Sequence, residues 1–587
     1  MRYRWLIAGG AALALLLAGL LAYAMVVPHW AASAISETAR QQLGRNFEAG
    51  RAHLDFSPLA IRVDNPKLSA GDDSGDSFVA AKALVIPVRF GQLMSRKFDY
   101  AAFTLEDAEI ALLIDERGQA SWEGAGAAAT GPARITLARA SVRYFDIRNG
   151  QSLAIGAVNG LLDLRADGGL AFKGTGVIQS RLVRIDGDLK SLARVNAEGS
   201  PFDLVLDSDI GAVSFSGRLS TESALSLAGS LSLSGHVSAD LLRLAGLAGA
   251  AKFEGRVPFA VDAALDSAGR AYALRKAVLT LGQFRAAGDM TADLRGERPR
   301  LQASLTSEVL PLDALVPASG AAPGEWGRQP IAFDMLSGLD AEIALMAREL
   351  TYRGINATGA QLALSLKDGN LSTTGVAQPA GGGTLQFAFD AATVSLPPRL
   401  SLSLKAENVS AQPLLAGLAG IRGVTGTVRF SADLGAEGQT QEEMIGTLGG
   451  NVQFAVVRGA IANGDLGGLL AGARERVLDG WPPATAATVF TILSGELAIA
   501  DGEADIKTAN MVTPEMDVSA TGAVDLLRRA LDVSIVAFRG QEPVLPVALV
   551  IRGLWDRPRI YPDVQDILKD PAAGLARLRQ LSPAPGD

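Results

Sequence analysis

The chain lacks cysteine entirely, has only three histidines in 587 residues, and is poor in aromatic (6%) and charged (20%) side chains. Without cysteine no disulfide can staple it, and no thiolate is present to bind metal or attack a substrate. An exported protein of this size without disulfides must rely on continuous hydrogen bonding and apolar burial. His29, His53 and His236 are too scattered to assemble a His-rich metal site and read as incidental surface or interface residues. The sequence contains no H-E-x-x-H, no Gly-Lys pair for a P-loop, no G-x-G-x-x-G, no G-x-S-x-G and no S-x-x-K. Acidic groups cluster at Asp72-Asp73, Asp203/Asp207/Asp209 and Asp501/Glu503/Asp505, at strand ends or turns, or alternating along a strand as a solvated face. A carboxylate pair is the one catalytic arrangement left open. The reading is a protein that is not an enzyme, with no cofactor, no metal site and no catalytic residue. Net charge is −8 with signs mixed throughout, and no basic stripe with interleaved aromatics points to nucleic acid.

What the chain has is small and aliphatic. Apolar residues make up 48%, with 65 glycines. The base composition of a GC-rich genome would account for part of this; the alternative is aliphatic surface that faces lipid or another apolar ligand. At 587 residues the chain exceeds one compact core and calls for several domains, or for an elongated architecture that adds strands along one axis.

Trp5 to Val27 carries no charged side chain and would make roughly 34 Å of helix, enough for a bilayer core of about 30 Å. Arg2 and Arg4 precede it and the first charge after it is Glu37, which places the N-terminus in the cytoplasm. A cleaved signal peptide is the rival, with Ala22-Tyr23-Ala24 as its small-x-small site. Both readings send the rest of the chain across a membrane; a retained single-pass anchor over 1–27 is the one adopted.

Beyond it the pattern predicts a helix over Trp30–Leu43 and a β module to 123, with short strands at Leu59–Val63, Leu84–Val88, Phe103–Leu105 and Ile110–Ile114. An Ala/Gly linker covers 124–131. Residues 132–465 read as a repetitive antiparallel meander of strands six to ten residues long, closed by Gly, Asp and Asn turns. Ser238–Gly249 and Ser410–Gly420 echo one another as short helical turns feeding strands, with a weaker copy at Val309–Leu315. An amphipathic helix is expected over 466–480, strands again over 481–562, and a polar tail over 563–587.

In Leu362-Ala363-Leu364-Ser365-Leu366 and Leu400-Ser401-Leu402-Ser403-Leu404 every second residue is leucine. A sheet built this way has one apolar and one mildly polar face. Curved, it forms a groove whose candidate walls are Leu301, Leu305, Leu362, Leu364, Leu366, Leu400, Leu402 and Leu404. The same leucines would equally serve a closed sandwich with no ligand. The expected fold is therefore mainly β: a transmembrane helix, then an elongated, curved antiparallel sheet groove with a few short helices.

Ile421–Val428, Gly435–Gly438, Leu448–Val452 and Arg458–Leu466 resemble the glycine-flanked strands and Asp-Leu helix opening of the AsmA family. Leu493–Gly502, Gly522–Leu526, Leu545-Pro546-Val547 and Gly553–Pro558 resemble its closing strands and final turn. Near the start, Ile110–Ile114 and Asp115–Trp122 are similar as well, with Ser121 where the family usually has Asn before the Trp. The middle resembles the family only in style. The resemblance implies a protein anchored in the inner membrane of Gram-negative bacteria, its bulk periplasmic, with kinship to bridge-like lipid-transfer proteins. The expected partner is membrane phospholipid, bound through its acyl chains on the way to the outer membrane. The alternative is a scaffold or regulator acting through outer-membrane or periplasmic assembly proteins.

Overall fold

Alternation of leucine with serine or alanine commits a segment to a strand with two unlike faces, and strands dominate the molecule. In a computed structural model the described residues are 36–37, 46–70, 77–89, 91–92, 101–122, 132–195, 198–222, 224–237, 257–315, 325–331, 333–462, 487–540, 542–543, 548–555 and 557–563. The anchor over 1–27, most of the helix predicted at 30–43, the linker, the first helical echo, the amphipathic helix over 466–480 and nearly all of the polar tail lie outside them. Among the described residues no helix is long and apolar enough to cross a membrane. The fold is mainly β, with long runs of hydrogen-bonded strands.

The chain divides into two units, the first made largely of residues up to 295 and the second largely of residues from 296 onward. The first opens with β1 (Phe47–Glu48), β2 (Ala52–Phe56), β3 (Leu59–Asp64), β4 (Lys67–Ser69), β5 (Ser77–Ala80), β6 (Ala83–Pro87), β7 (Ala102–Glu106) and β8 (Glu109–Ile114). An antiparallel ladder follows: β9 (Ala133–Asp146), β10 (Gln151–Leu164), β11 (Leu170–Ile178), β12 (Arg181–Leu189), β13 (Ser200–Ser208), β14 (Gly211–Ser220), β15 (Ser226–Val237) and β16 (Val257–Ala268). β7 and β8 run parallel to successive halves of β9. At the joint, Asp107 and Arg139 both take left-handed backbone, and the Arg139 guanidinium grips the Asp107 carboxylate with two bonds of 2.8 and 2.9 Å.

β17 (Ala271–Leu281) and β18 (Phe284–Asp293) come next. The second unit then runs β19 (Arg300–Pro311), β20 (Asp340–Tyr352), β21 (Ile355–Lys367), β22 (Asn370–Pro379), β23 (Thr384–Ala392) and β24 (Arg399–Ser410). Helix α1 (Ala411–Ala419), β25 (Thr427–Glu437), α2 (Gln441–Gly446) and β26 (Gly449–Ile461) follow. The series closes with β27 (Thr488–Ala500), β28 (Glu503–Val512), β29 (Asp517–Asp525), β30 (Ala530–Arg539), β31 (Glu542–Pro543), β32 (Leu549–Leu554) and β33 (Arg559–Pro562).

Two expectations need correction. The sheet is not wholly antiparallel: β19 and β20 pair in parallel, as do β7 and β8 with β9. A parallel neighbour requires a long crossover, and residues 312–339 supply it. Many strands also run longer than six to ten residues. Leu153–Ile155 and Leu161–Leu164 belong to one strand, as do Thr488–Leu493 and Glu496–Ile499. In the second pair the break in the pattern is Gly495, where a Cβ would stand 2.7 Å from the Phe454 ring, so the strand continues beneath that ring.

Candidate functional site

The eight leucines singled out in the sequence share one face of the second unit. The register shows it. Leu305 pairs with Leu345, Leu345 with Leu362, Leu362 with Gly375, Gly375 with Phe387, Phe387 with Leu404, and Leu404 with Ala432. The row goes on through Val452, Leu497, Ile506, Gly522 and Val533 to Ile551. At about 4.8 Å per strand this unbroken apolar row is roughly 55 Å long. A second row links Ile343, Leu364, Thr373, Phe389, Leu402, Leu434, Gly450 and Ile499. A third links Leu301, Ala341, Leu366, Leu371, Ala391, Leu400 and Ala436. No two of the eight are direct partners; residues that sequence reasoning passed over, above all Leu345, Phe387, Phe389 and Leu434, join them.

Burial separates this face into two zones. Leu301, Leu362, Leu364, Leu400, Leu402 and Leu404 are only half-buried, while the intervening Ser365, Ser401 and Ser403 are exposed on the other face. Leu305 and Leu366 are buried. Toward the other end of the strands the same sheet is closed over: Ala406, Val409, Leu414, Val428, Val456 and Phe490 form a core with Ile355 and Met511. Helix α1 is the lid. Its Leu414 is 2% exposed, and Gly417 comes so close to β21 that a Cβ there would stand 2.8 Å from Ile355. In β24 the change of zone falls at a bulge between Ala406 and Val409, where Asn408 takes left-handed backbone (φ 55°) and two successive residues face outward. A bulge adds one residue and bends its strand, so Val409 enters the core beside Ala406 instead of turning to solvent.

Phenylalanines lie along the apolar face over glycines, either on the neighbouring strand or two residues away on the same one. A Cβ at Gly375 would overlap the ring of Phe387, and one at Gly217 would stand 2.8 Å from that of Phe215. Phe172 covers Gly160 and Gly174 in the same way, at 2.9 Å. The first unit thus builds its face as the second does, with Ile135, Leu162, Phe172, Gly187, Leu204, Phe215, Leu231 and Ala263 in one register row. Leu204, Leu206, Leu231 and Leu233 there are again half-buried.

Charge is kept off these rows. Asp146, with no exposed surface, accepts from the backbone and guanidinium of Arg148 and from Asn149. Burial pushes its carboxyl up, but the bonds from Arg148 and Asn149 outweigh that and hold it below the usual carboxylate range. Nearby, Trp122 packs with Tyr144 and Ile114, and burial together with the Asp146 charge pushes the Tyr144 hydroxyl up to about 12. Ser121 fastens this corner by donating to the Ala111 carbonyl and accepting from the Leu113 N–H. These groups brace a turn; none faces an open site.

The AsmA family model matches residues 286–508, which hold β19 to β27 and so all eight leucines. Protein AsmA of Escherichia coli (strain K12) is 22% identical over 317 residues, covering 46% of this chain and 50% of its own. The chain thus spans about half the length of that curated relative. No solved structure matches. Together the two matches support an AsmA family protein.

Proposed function

We propose that this AsmA-like protein binds phospholipid acyl chains along the apolar face of its sheets and moves them between membranes. The observation that carries the reading is the unbroken row from Leu305 to Ile551, flanked by two more, in which most large side chains stay half-buried. A sheet face of this area left to water would be costly. Each acyl CH₂ laid against it gains about 0.8 kcal/mol, so one lipid tail recovers several kcal/mol. The polar headgroup needs no pocket and can stay in solvent. Because one strand presents nearly the same surface as the next, a tail slides with little net change in energy, which suits transport better than storage. A curved sheet would deepen the face into a groove, bounded along one side by the closed core under α1.

In this reading the protein is not an enzyme and needs no cofactor. The run from Trp5 to Val27 would hold it in the inner membrane with its bulk in the periplasm, so that phospholipid passes toward the outer membrane. The test is native mass spectrometry and lipid extraction of the purified full chain after exchange into mild detergent. Co-purifying phospholipid, lost when Leu364 and Leu402 are both replaced by glutamate, is the expected result. Protein free of lipid, with partner proteins retained instead, would favour the scaffold reading.

A further inference from the structure

The turns at one end of the second unit carry apolar side chains that stay partly or largely exposed among the described residues. Val394 and Leu396, on the loop between β23 and β24, are 68% and 81% exposed. Leu527 and Leu554, on the tips joining β29 to β30 and β32 to β33, are 39% and 52% exposed. A chain of bonds ties these tips together. Gly438 donates its N–H to the Pro398 carbonyl, Ile331 to Gln439, and Trp555 to Arg529. The crossover segment 325–331 runs along them, its Trp326 indole N–H shared between the carbonyls of Leu526 and Leu527 at 3.1 Å each.

The tips carry carboxylates as well, Glu325, Asp501 and Glu503 among them, but two tryptophans and two arginines gather into one cluster that says what would cover it. Trp326 and Trp555 meet edge to face at 6.4 Å, and the Arg529 guanidinium lies 4.8 Å from one ring centre and 5.4 Å from the other. Arg529 has φ 57°, a conformation that glycine or asparagine adopts at lower cost, so the tip keeps an arginine there against backbone preference. Its neighbour Arg528 is 83% exposed, and its 3.3 Å pairing to Asp525 is a solvent-screened contact that leaves the cation available. Protruding aliphatics, tryptophans with an apolar body and polar edge, and arginines, here an exposed Arg528 and a half-buried Arg529, are the groups that partition into the boundary between headgroups and acyl chains. A protein partner would accept the leucines, but a phosphate surface is what complements arginines set beside tryptophan rings.

We propose that this rim docks on an anionic phospholipid bilayer, with Val394, Leu396, Leu527 and Leu554 passing below the phosphates and Arg528 and Arg529 pairing with them. The contact does not depend on lipid carriage by the apolar face. A chain with that face emptied would still dock, so the two ideas fail separately.

The absence of cysteine makes the test clean. Single cysteines at Leu396→Cys, Leu527→Cys and Leu554→Cys, with Ser403→Cys on the polar face as control, would carry an environment-sensitive dye on the full chain held in amphipol. Vesicles of phosphatidylethanolamine and phosphatidylglycerol should shift the three rim labels to the blue and leave the control unchanged. Vesicles of phosphatidylcholine alone should do so far more weakly, and Arg528→Gln should weaken the anionic response about fivefold. Rim labels that respond to neither vesicle, leaving a protein as the occupant, overturn the proposal. So does an equal response to both vesicles, or a control that shifts with them.

Discussion

At Gly375 the ring of Phe387 lies where a methyl group would stand, and the Leu362 side chain closes the other side. Each such pairing lets a bulky ring lie along the sheet without raising a ridge across it. Gly375→Ala should therefore lift the ring or bend the strand. The expected cost is about 1–3 kcal/mol, the usual range for overpacking, read as a fall in the urea midpoint. An unchanged midpoint would mean that the ring does not rest on that glycine. Sequence reading found the leucines and missed the phenylalanines for the same reason. Leu400, Leu402 and Leu404 announce a face by alternation within one strand, whereas Phe387 acquires its meaning only from Gly375 on the neighbouring strand.

Among the elements, the bulge in β24 does what no residue pattern advertised. Leu400 to Leu404 alternate cleanly, then Glu407 and Asn408 both face solvent and the register shifts, sending Val409 into the core under α1. Asparagine tolerates the left-handed backbone this needs; a β-branched residue does not. Asn408→Val should cost about 1–2 kcal/mol, measured by chemical denaturation, while Asn408→Gly should be close to neutral. Equal stability of the two variants would remove the bulge from the account. The helix over 411–419 was legible because Ser410 and Gly420 bracket a Leu/Ala run, and Gly420 does close it with φ 70° and an N–H bonded to the Leu415 carbonyl. The parallel pairing of β19 with β20 was not legible, since alternation is the same in parallel and antiparallel strands. Nor was the reach of Trp326 to Leu526, a contact across 200 residues that no local period records.

At the scale of the whole chain, the mainly β character and the one-sided face follow from composition and alternation, and the likeness to the AsmA family from the glycine-flanked strands near residues 421–466. Each unit repeats the same device by itself: leucine and phenylalanine rows half-buried on one side, serine, threonine and charged residues on the other. A closed sandwich would have driven Leu364, Leu402 and Leu404 to the burial of Val409, which is 1% exposed; they remain half-buried. That contrast within one sheet is what favours the proposed lipid-binding reading over the sandwich. The most direct measurement uses photo-reactive amino acids placed on either side of a single strand of the full chain in cells. Leu402 and Ser403 are adjacent in sequence and opposite in facing, as are Leu364 and Ser365. Crosslinks to phospholipid acyl chains from Leu402 and Leu364, with none from Ser403 and Ser365, are the predicted result; crosslinks from both faces alike, or from neither, would contradict it.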